Sequence, residues 1–427
     1  MSQRRPNVSW SSGSTARTPF PQNNLFQQQQ PAAVLPELKD PNVINLPIDR
    51  ARIRGAAMRQ PSEITSYSYD EDRTIHNDES SLGYLYLLKE DLATQNGYNL
   101  SDGFDRFIKR DESVDEHLDG LLIALINHEK EHGGKKTVAD VVTWRGLLTK
   151  LMCLPFERQG DATFELNATY FDGQIFIEES SEYKRSHPER EYDRMELMAY
   201  WGYKFEQIAT IPKPWGQCTR DEIEKRTQKP VNNNVQYCSV VKSGLGNIRI
   251  IIGGEVDCAK DYKPDKSDNP DNDPTLNDNP LDHYVELKTN QIISHDNGAR
   301  NFERKLLRVW AQSFLLGVPK VIVGFRTREG YLQTFEEFST HKIPAMIKQS
   351  KFFNPHTSWD GNEAIAFLAA CLQWLKTSIP QEENGDIWKI RYIARSDYLL
   401  LMKAPQGQAS FLHPDFVKWR KERRETV

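Results

Sequence analysis

The sequence predicts a mixed α+β (α/β) fold, and three observations along its 427 residues carry that prediction. Strand-like and helix-like stretches are interleaved instead of segregated. The stretch "ATFELNATYFDGQIFIEE" reads as two strands joined at Asp172-Gly173, a residue pair suited to a tight hairpin. The helical stretch "RNFERKLLRVWAQSFLLG" passes through Pro319 into the apolar "KVIVGFR", a helix-to-strand crossover. Together these predict one mixed-sheet domain.

Taken in order, residues 1–45 carry Ser, Pro and Gln, as in "FQQQQPAAVLP", without a hydrophobic period, and read as a disordered tail. Order is expected to begin near "ITSYSYDEDRTIH", which alternates like a strand. "DESVDEHLDGLLIALINHEKEHG" predicts a helix with the apolar stripe Val114, Leu118, Leu121 and Leu125, ended by Gly133. "TVADVVTWRGLLTKLMC" predicts a second helix with Thr137 as its N-cap. After the hairpin comes the helix "DRMELMAYWGYKFEQIA", then strands in "NVQYCSVVKS", "IRIIIGGEVDC" and "HYVELKT". Between the last two lies an Asp-, Asn- and Pro-rich segment, 259–282, which reads as a flexible acidic loop. It lacks the ordered Asp spacing and central Gly of a calcium loop. A helix-rich region containing "EAIAFLAACLQWLKTSI" follows. Residues 46–420 are thus expected to form a single domain, and the charged end, 421–427, is expected to fray.

Composition narrows the class. With 38% hydrophobic and 27% charged residues the chain is globular and has apolar mass for a sizeable core. No apolar stretch approaches the ~20 residues that span a bilayer, so no membrane partner is expected. No secretory leader is recognisable. Cys153, Cys218, Cys238, Cys258 and Cys371 are scattered and odd in number, which argues against a disulfide framework or a zinc site and fits a reducing compartment. A net charge of −5 means that any nucleic-acid contact must rest on a local basic site.

The chemistry begins at "GEVDC", placed directly after the apolar run "RIIIGG". Side chains alternate faces along a strand, so Glu255 and Asp257 share one face. On the next strand Glu286 and Lys288 share a face, opposite Val285 and Leu287. If the two strands pair across the acidic loop, three carboxylates and one ammonium converge. Three ionised acids in a partly buried site repel one another. A divalent cation such as Mg²⁺, which prefers oxygen ligands, relieves that repulsion. A lysine beside such a cluster suits phosphate-ester hydrolysis, where the cations activate water and the ammonium offsets phosphoryl charge. The competing reading is an exposed strand pair with a solvated charged face.

Helical residues add to the pattern. Glu206 falls eleven residues after Met195, near the side shared by Met195, Met198, Gly202 and Phe205. A carboxylate there is a ligand or the buried partner of a base, unless the helix frays before it. Arg145 lies on the stripe Val138, Val141, Leu148 and Met152; an inward arginine meets a carboxylate or a phosphate, a structural salt bridge being the plainer choice. Lys305, Arg308 and Gln312 recur at i, i+3 and i+7, the spacing of one wall of a phosphate-binding groove. For the two cations a solvated face is the stronger reading, and Gln312 is the better site candidate.

The motifs "TWRGLLTKL", "YWGYKFEQ", "VQYCSVVKSGLG", "GEVDC", "YVELKT" and "WAQSFLLGVPKVIVGFR" occur in this order. Together they resemble the DXO family of eukaryotic RNA 5′-end decapping enzymes and exoribonucleases, whose fungal nuclear members partner a large 5′→3′ exoribonuclease. The similarity runs from about Tyr67 to the C-terminal helices. It implies two mixed β-sheets flanked by helices, with the active site in the cleft between them. It implies that Glu206, Glu255, Asp257 and Glu286, with the backbone carbonyl of Leu287, hold divalent metals (Mg²⁺ or Mn²⁺). Lys288 and Gln312 would contact the scissile phosphate or the attacking water, with Glu255 also facing substrate. Arg145, flanked by Trp144 and Gly146, would contact the RNA 5′ end, and Arg73, Glu116 and Cys238 match family positions that touch substrate. The acidic loop and the N-terminal tail depart from the family pattern.

The expectation is a Mg²⁺- or Mn²⁺-dependent phosphodiesterase acting on RNA 5′ ends that carry a triphosphate, an unmethylated cap or an NAD cap. The same resemblance implies a 5′→3′ exoribonuclease partner and the nucleus, with the cytoplasm as the alternative. Two rival functions remain: a weakly catalytic or non-catalytic scaffold for the larger nuclease, and a DNA nuclease using the same acids and lysine.

Overall fold

Two mixed sheets form, each flanked by helices. The protein, as a computed structural model, is described here over residues 40–50, 55–87, 97–157, 163–187, 193–264 and 279–426. Most of the N-terminal tail and the middle of the acidic loop therefore lie outside the described residues. In chain order the strands are β1 (Ile44–Pro47), β2 (Ser62–Tyr69), β3 (Ile75–His76), β4 (Tyr84–Leu85), β5 (Tyr98–Asn99), β6 (Val141–Trp144), β7 (Phe164–Phe171), β8 (Gln174–Glu179), β9 (Thr210–Ile211), β10 (Gln236–Leu245), β11 (Ile248–Glu255), β12 (Cys258–Ala259), β13 (Tyr284–Gln291), β14 (Lys320–Arg326), β15 (Tyr331–Ser339), β16 (Ile387–Tyr392) and β17 (Tyr398–Lys403). The α-helices are α1 (Asp119–Glu131), α2 (Arg145–Glu157), α3 (Ser181–Ser186), α4 (Asp193–Ala209), α5 (Arg220–Lys225), α6 (Asp296–Leu316), α7 (Ile343–Gln349), α8 (Gly361–Ser378) and α9 (Pro414–Thr426).

The larger sheet has the order β1-β17-β16-β7-β8-β6-β11-β10-β2-β3, and the smaller β5-β15-β14-β13-β12-β4-β9. Both are mixed: β6 runs parallel to β8 and β11, and β13 parallel to β14, among antiparallel neighbours. The main core packs α2, α6 and α8 against strands of both sheets, with Ile250 and Ile252 from one and Val321 and Val323 from the other. A second core sets Leu121 and Leu125 of α1 and Phe416 of α9 against Val142, Phe176 and Ile251. A third places Tyr200 and Phe205 of α4 against Val285, Leu287 and Ile322. The three isoleucines of "RIIIGG" are thus buried on both faces of β11, as expected of a strand inside a covered sheet.

The hairpin and α4 form where the sequence places them. Asp172 and Gly173 both take positive φ, +46° and +72°, the twist that joins two strands by two residues. Elsewhere the structure corrects the reading. Val141–Trp144 is a strand, not the middle of a helix begun at Thr137; three consecutive β-branched residues fill the slot between β8 and β11, and the helix starts only at Arg145. Val114 is exposed ahead of α1, whose stripe is Leu118, Leu121 and Leu125. Met195 and Met198 of α4 are also exposed, and the buried side carries Tyr200, Trp201 and Phe205 instead. Order begins before residue 62, because β1 pairs with β17. The acidic loop is shorter than 259–282: Ala259 belongs to β12, and Pro280–His283 form a 3₁₀ turn. Its base is clamped by Lys263, whose Nζ lies 2.6 Å from Glu79, 3.2 Å from Glu63 and 2.7 Å from the Tyr237 hydroxyl.

The charged C-terminus does not fray either, since α9 runs to Thr426. Arg420, fully buried, donates to Glu129 at 2.7 and 3.0 Å and to Asp172 at 2.8 Å, while Arg424 reaches Asp172 and Glu383. A buried carboxylate stripped of its cation is strongly destabilising. Arg420→Met is therefore expected to cost about 3 kcal/mol, read as a lower urea midpoint. A loss under about 1 kcal/mol, the range of surface pairs, would show that the network does not anchor the helix.

Candidate active site

Three elements deliver the acids. Glu255 ends β11 in the larger sheet, opposite Cys238 of β10. Three residues later the chain has changed sheets, for Cys258 opens β12 and pairs with Val285 of β13. The β11 and β13 strands therefore do not pair with each other, contrary to the simplest reading of the sequence. Asp257 sits at the crossing, and convergence comes from the junction of two sheets. Glu286, Leu287 and Lys288 lie on β13, and α4 packs on that strand with Glu206 in its last turn. The "GG" before Glu255 has a steric reason. A Cβ on Gly253 would lie 2.8 Å from the Trp144 ring, and one on Gly254 would lie 3.0 Å from Cβ of Arg145 and from Leu316. Glycine at both positions lets Trp144 and Arg145 close on the end of the strand without displacement.

The charges are tightly linked. Lys288 Nζ lies 2.6 Å from Oε1 of Glu286, 3.4 Å from Oδ2 of Asp257 and 3.0 Å from the Leu287 carbonyl. Asp257 Oδ2 also accepts the Leu287 N–H at 2.6 Å. Arg145, 9% exposed, donates through Nη1 to Oε2 of the fully buried Glu286 at 2.9 Å. Burial would raise Glu286, yet Arg145 and Lys288 outweigh it and hold it below the usual range. Burial raises Asp257 to about 7, opposed by Lys288 and reinforced by Glu286 and Glu255. Glu206 is pushed well above its ordinary value by burial and then by Asp257 and Glu255. Lys288 itself is raised, because Asp257 and Glu286 outweigh its burial. The five residues read from sequence thus form one electrostatic unit, and Arg145 joins it through the salt bridge that was the plainer choice.

Of the remaining candidates, Cys238 lies opposite Glu255, and Arg73 lies near Cys238. Arg73 holds Glu116 in a two-pronged pair at 2.7 and 2.8 Å, stacks over Tyr69 at 3.7 Å and has a left-handed backbone, φ +64°. Cys238 is buried, and burial followed by Glu255 pushes its thiol up to about 12. Trp144 is half-buried and Gly146 exposed with open space around it. Gln312 is half-buried on α6, one turn before the Leu316 that meets Gly254. Arg308 is taken by Glu157 at 2.6 Å and Lys305 by Asn290 at 3.2 Å. The sequence reading missed Tyr203, which feels the charges of Glu206 and Glu255; its place three residues before Glu206 on α4 was the available signal.

Four carboxylates face two cations, Lys288 and Arg145, so negative charge is in surplus. Among the described residues no three acids are already drawn into a metal-holding group, because Glu286 and Asp257 are turned onto Lys288 and Arg145. The donor set still fits a hard divalent cation. It offers only carboxylate and carbonyl oxygens, and the buried Glu286 Oε1 has no well-aligned hydrogen-bond donor.

A family model described as RAI1-like PD-(D/E)XK nuclease matches residues 59–417. The decapping nuclease RAI1 of Neurospora crassa is 42% identical over 380 residues, spanning 88% of this chain and 86% of its own. Candida albicans Rai1, solved in complex with pU5-Mn²⁺, superposes with a TM-score of 0.79 at 33% identity, over 89% of this chain and 99% of that one. Scheffersomyces stipitis Rai1, solved with (3′-NADP)⁺ and a calcium ion, gives 0.77 at 32% identity, over 89% and 100%. Glu286-Leu287-Lys288 supplies the (D/E)XK tripeptide of the family's description at the junction where Glu206, Glu255 and Asp257 gather. With the motif in place and the match running through nearly all of the described chain, this protein belongs to the RAI1-like PD-(D/E)XK nucleases.

Proposed function

We propose that this nuclease is a divalent-metal-dependent decapping enzyme that hydrolyses RNA at 5′ ends bearing a triphosphate, an unmethylated cap or an NAD cap. The observation that carries the reading is the gathering of Glu206, Glu255, Asp257 and Glu286 around Lys288 where the two sheets meet. Similarity to Rai1 proteins solved with a 5′-phosphorylated oligouridine and with a nicotinamide dinucleotide supports RNA 5′ ends as the substrate class. When bound by the four acids and the Leu287 carbonyl, Mg²⁺ or Mn²⁺ supplies Lewis acidity and neutralises charge at the phosphate. The chain's own residues do the rest. Lys288 keeps its ammonium beside Glu286 and Asp257, ready to offset charge that builds on the phosphoryl oxygens. Arg145 is fixed by Glu286 and turned toward the strand end beside Trp144, where a 5′-terminal phosphate would lie. The half-buried Gln312 of α6 and the paired Arg73 and Glu116 are the further groups that the resemblance assigns to substrate.

The test is to incubate the purified protein with RNAs carrying each 5′ end, and with matched single-stranded DNA, in Mg²⁺ and in Mn²⁺. Release of the intact 5′ moiety from RNA, absent with EDTA, is the expected result. Cleavage of DNA at an equal rate would replace this reading with a DNA nuclease, and no release from any RNA would leave a scaffold. Resemblance to fungal nuclear members also supports a nuclear location and a 5′→3′ exoribonuclease partner, to be read by imaging of a tagged chain and by copurification from nuclear extract.

A further inference from the structure

Trp144 and Glu116 sit on different elements, and one residue ties them together. His117 follows Glu116, precedes α1 and has a left-handed backbone, φ +44°. A Cβ-bearing residue keeps that conformation only where its surroundings hold it. Here the holder is Glu178 of β8, 3% exposed, whose Oε2 lies 2.7 Å from Nδ1 of His117. The other oxygen of Glu178 accepts from Nδ2 of Asn167 on β7 at 2.9 Å, so the carboxylate is fixed from the sheet side. In turn the His117 carbonyl accepts the indole N–H of Trp144 at 3.1 Å. The Trp144 ring rests on Gly253, two residues before Glu255. A chain of contacts thus runs Asn167, Glu178, His117, Trp144, Gly253 from the sheet to the acids.

We propose that His117 is a positioning residue for the RNA 5′ end, its ion pair with Glu178 fixing the left-handed turn that sets both the Trp144 indole and the Glu116 carboxylate. The proposal rests on the decapping reading for the identity of the ligand. The lock depends on the charge of the imidazole. Of the groups facing it, Asp115 is taken by Arg185 of α3 at 2.7 and 2.8 Å and Glu116 by Arg73. Asp119 is raised by burial and lies near His413, just ahead of α9. That leaves Glu178 as the deciding partner, and its hydrogen bond raises His117 above its ordinary value against the opposing effect of burial. A raised histidine contributes its ion pair at low pH and loses it as pH climbs through the folded-state value. The turn is therefore locked at low pH and loosens as pH rises through that value.

The experiment measures the affinity of the full chain for 5′-phosphorylated, 3′-labelled pentauridine in Ca²⁺ by fluorescence anisotropy, from pH 5.5 to 9. His117→Asn is compared with wild type because asparagine accepts a left-handed backbone, and Glu178→Gln because it removes only the charge. Each variant is expected to bind about tenfold more weakly at pH 6, with the gap closing toward pH 9. Two separate substitutions guard against one failing to fold. A ratio that stays constant with pH, or no difference at all, overturns the positioning role alone. No binding by wild type at any pH overturns the RNA reading and this ligand with it.

Discussion

Asp257→Asn is expected to slow release of RNA 5′ ends by about three orders of magnitude while leaving the fold intact. An asparagine oxygen can still accept the Leu287 N–H that Asp257 holds at 2.6 Å, so the register of β12 against β13 survives. What is lost is a charge, in a cluster where acids outnumber cations. The stability change has a definite sign. Asp257 is raised to about 7 in the folded chain, against an ordinary value near 4. Between these values the folded state holds a proton that the unfolded state has released, so this group lowers stability as pH rises from about 4 to about 7. Asparagine carries no such penalty. Without metal, the variant should melt close to wild type at pH 4 and above it at pH 8. Manganese should then raise the Tm of wild type at pH 8 and raise that of the variant little, since binding needs the ionised acid. Thermal melts at the two pH values, with and without Mn²⁺, read all of this. A variant that released 5′ ends at the wild-type rate would remove Asp257 from the catalytic group.

Much of the site was legible because the chemistry is written in short range. An apolar run followed at once by two acids two residues apart marks a strand end that carries charge, and "ELK" marks its counterpart. What the residues could not show was how the two meet. Alternation along each strand is correct, yet the sheet junction between Glu255 and Cys258 is a property of topology that no local pattern encodes. Glu206 reached the site although the argument that placed it there leaned on Met195 and Met198, which are exposed. Its true support is the packing of Phe205 and Tyr200 on β13. Val141 to Trp144 misled for a physical reason: a stripe at i and i+4 through Arg145 fits a helix, while the β-branched triplet fits a strand, and the parallel slot between β8 and β11 decided between them. The last helix was unreadable because its stabilising acids, Glu129 and Asp172, lie 291 and 248 residues away from Arg420. A run of arginines reads as solvated until its buried partners are known.

Lys288→Met separates the ammonium from the acids it faces. The side chain keeps most of its length, and Arg145 still pairs with the buried Glu286, so the fold is expected to hold. The charge beside the phosphate is gone, and the rate should fall about a hundredfold to a thousandfold. A second effect distinguishes this from simple distortion. Lys288 is the group that opposes the rise of Asp257 and also draws Glu206 down. Without it both acids hold their protons to higher pH, and metal must displace those protons to bind. The acidic limb of the pH–rate profile, measured in Mn²⁺ from pH 6 to 9.5, should therefore move toward base in the variant, with the residual rate partly recovered at high pH and high metal. Because Lys288 is raised in the folded chain, it stays charged across that range in wild type, so the shift cannot come from its own titration. A large loss of rate with an unmoved profile would mean that the ammonium acts on the phosphate alone and does not set the ionisation of the acids. An unchanged rate with an unchanged profile would remove it from both roles.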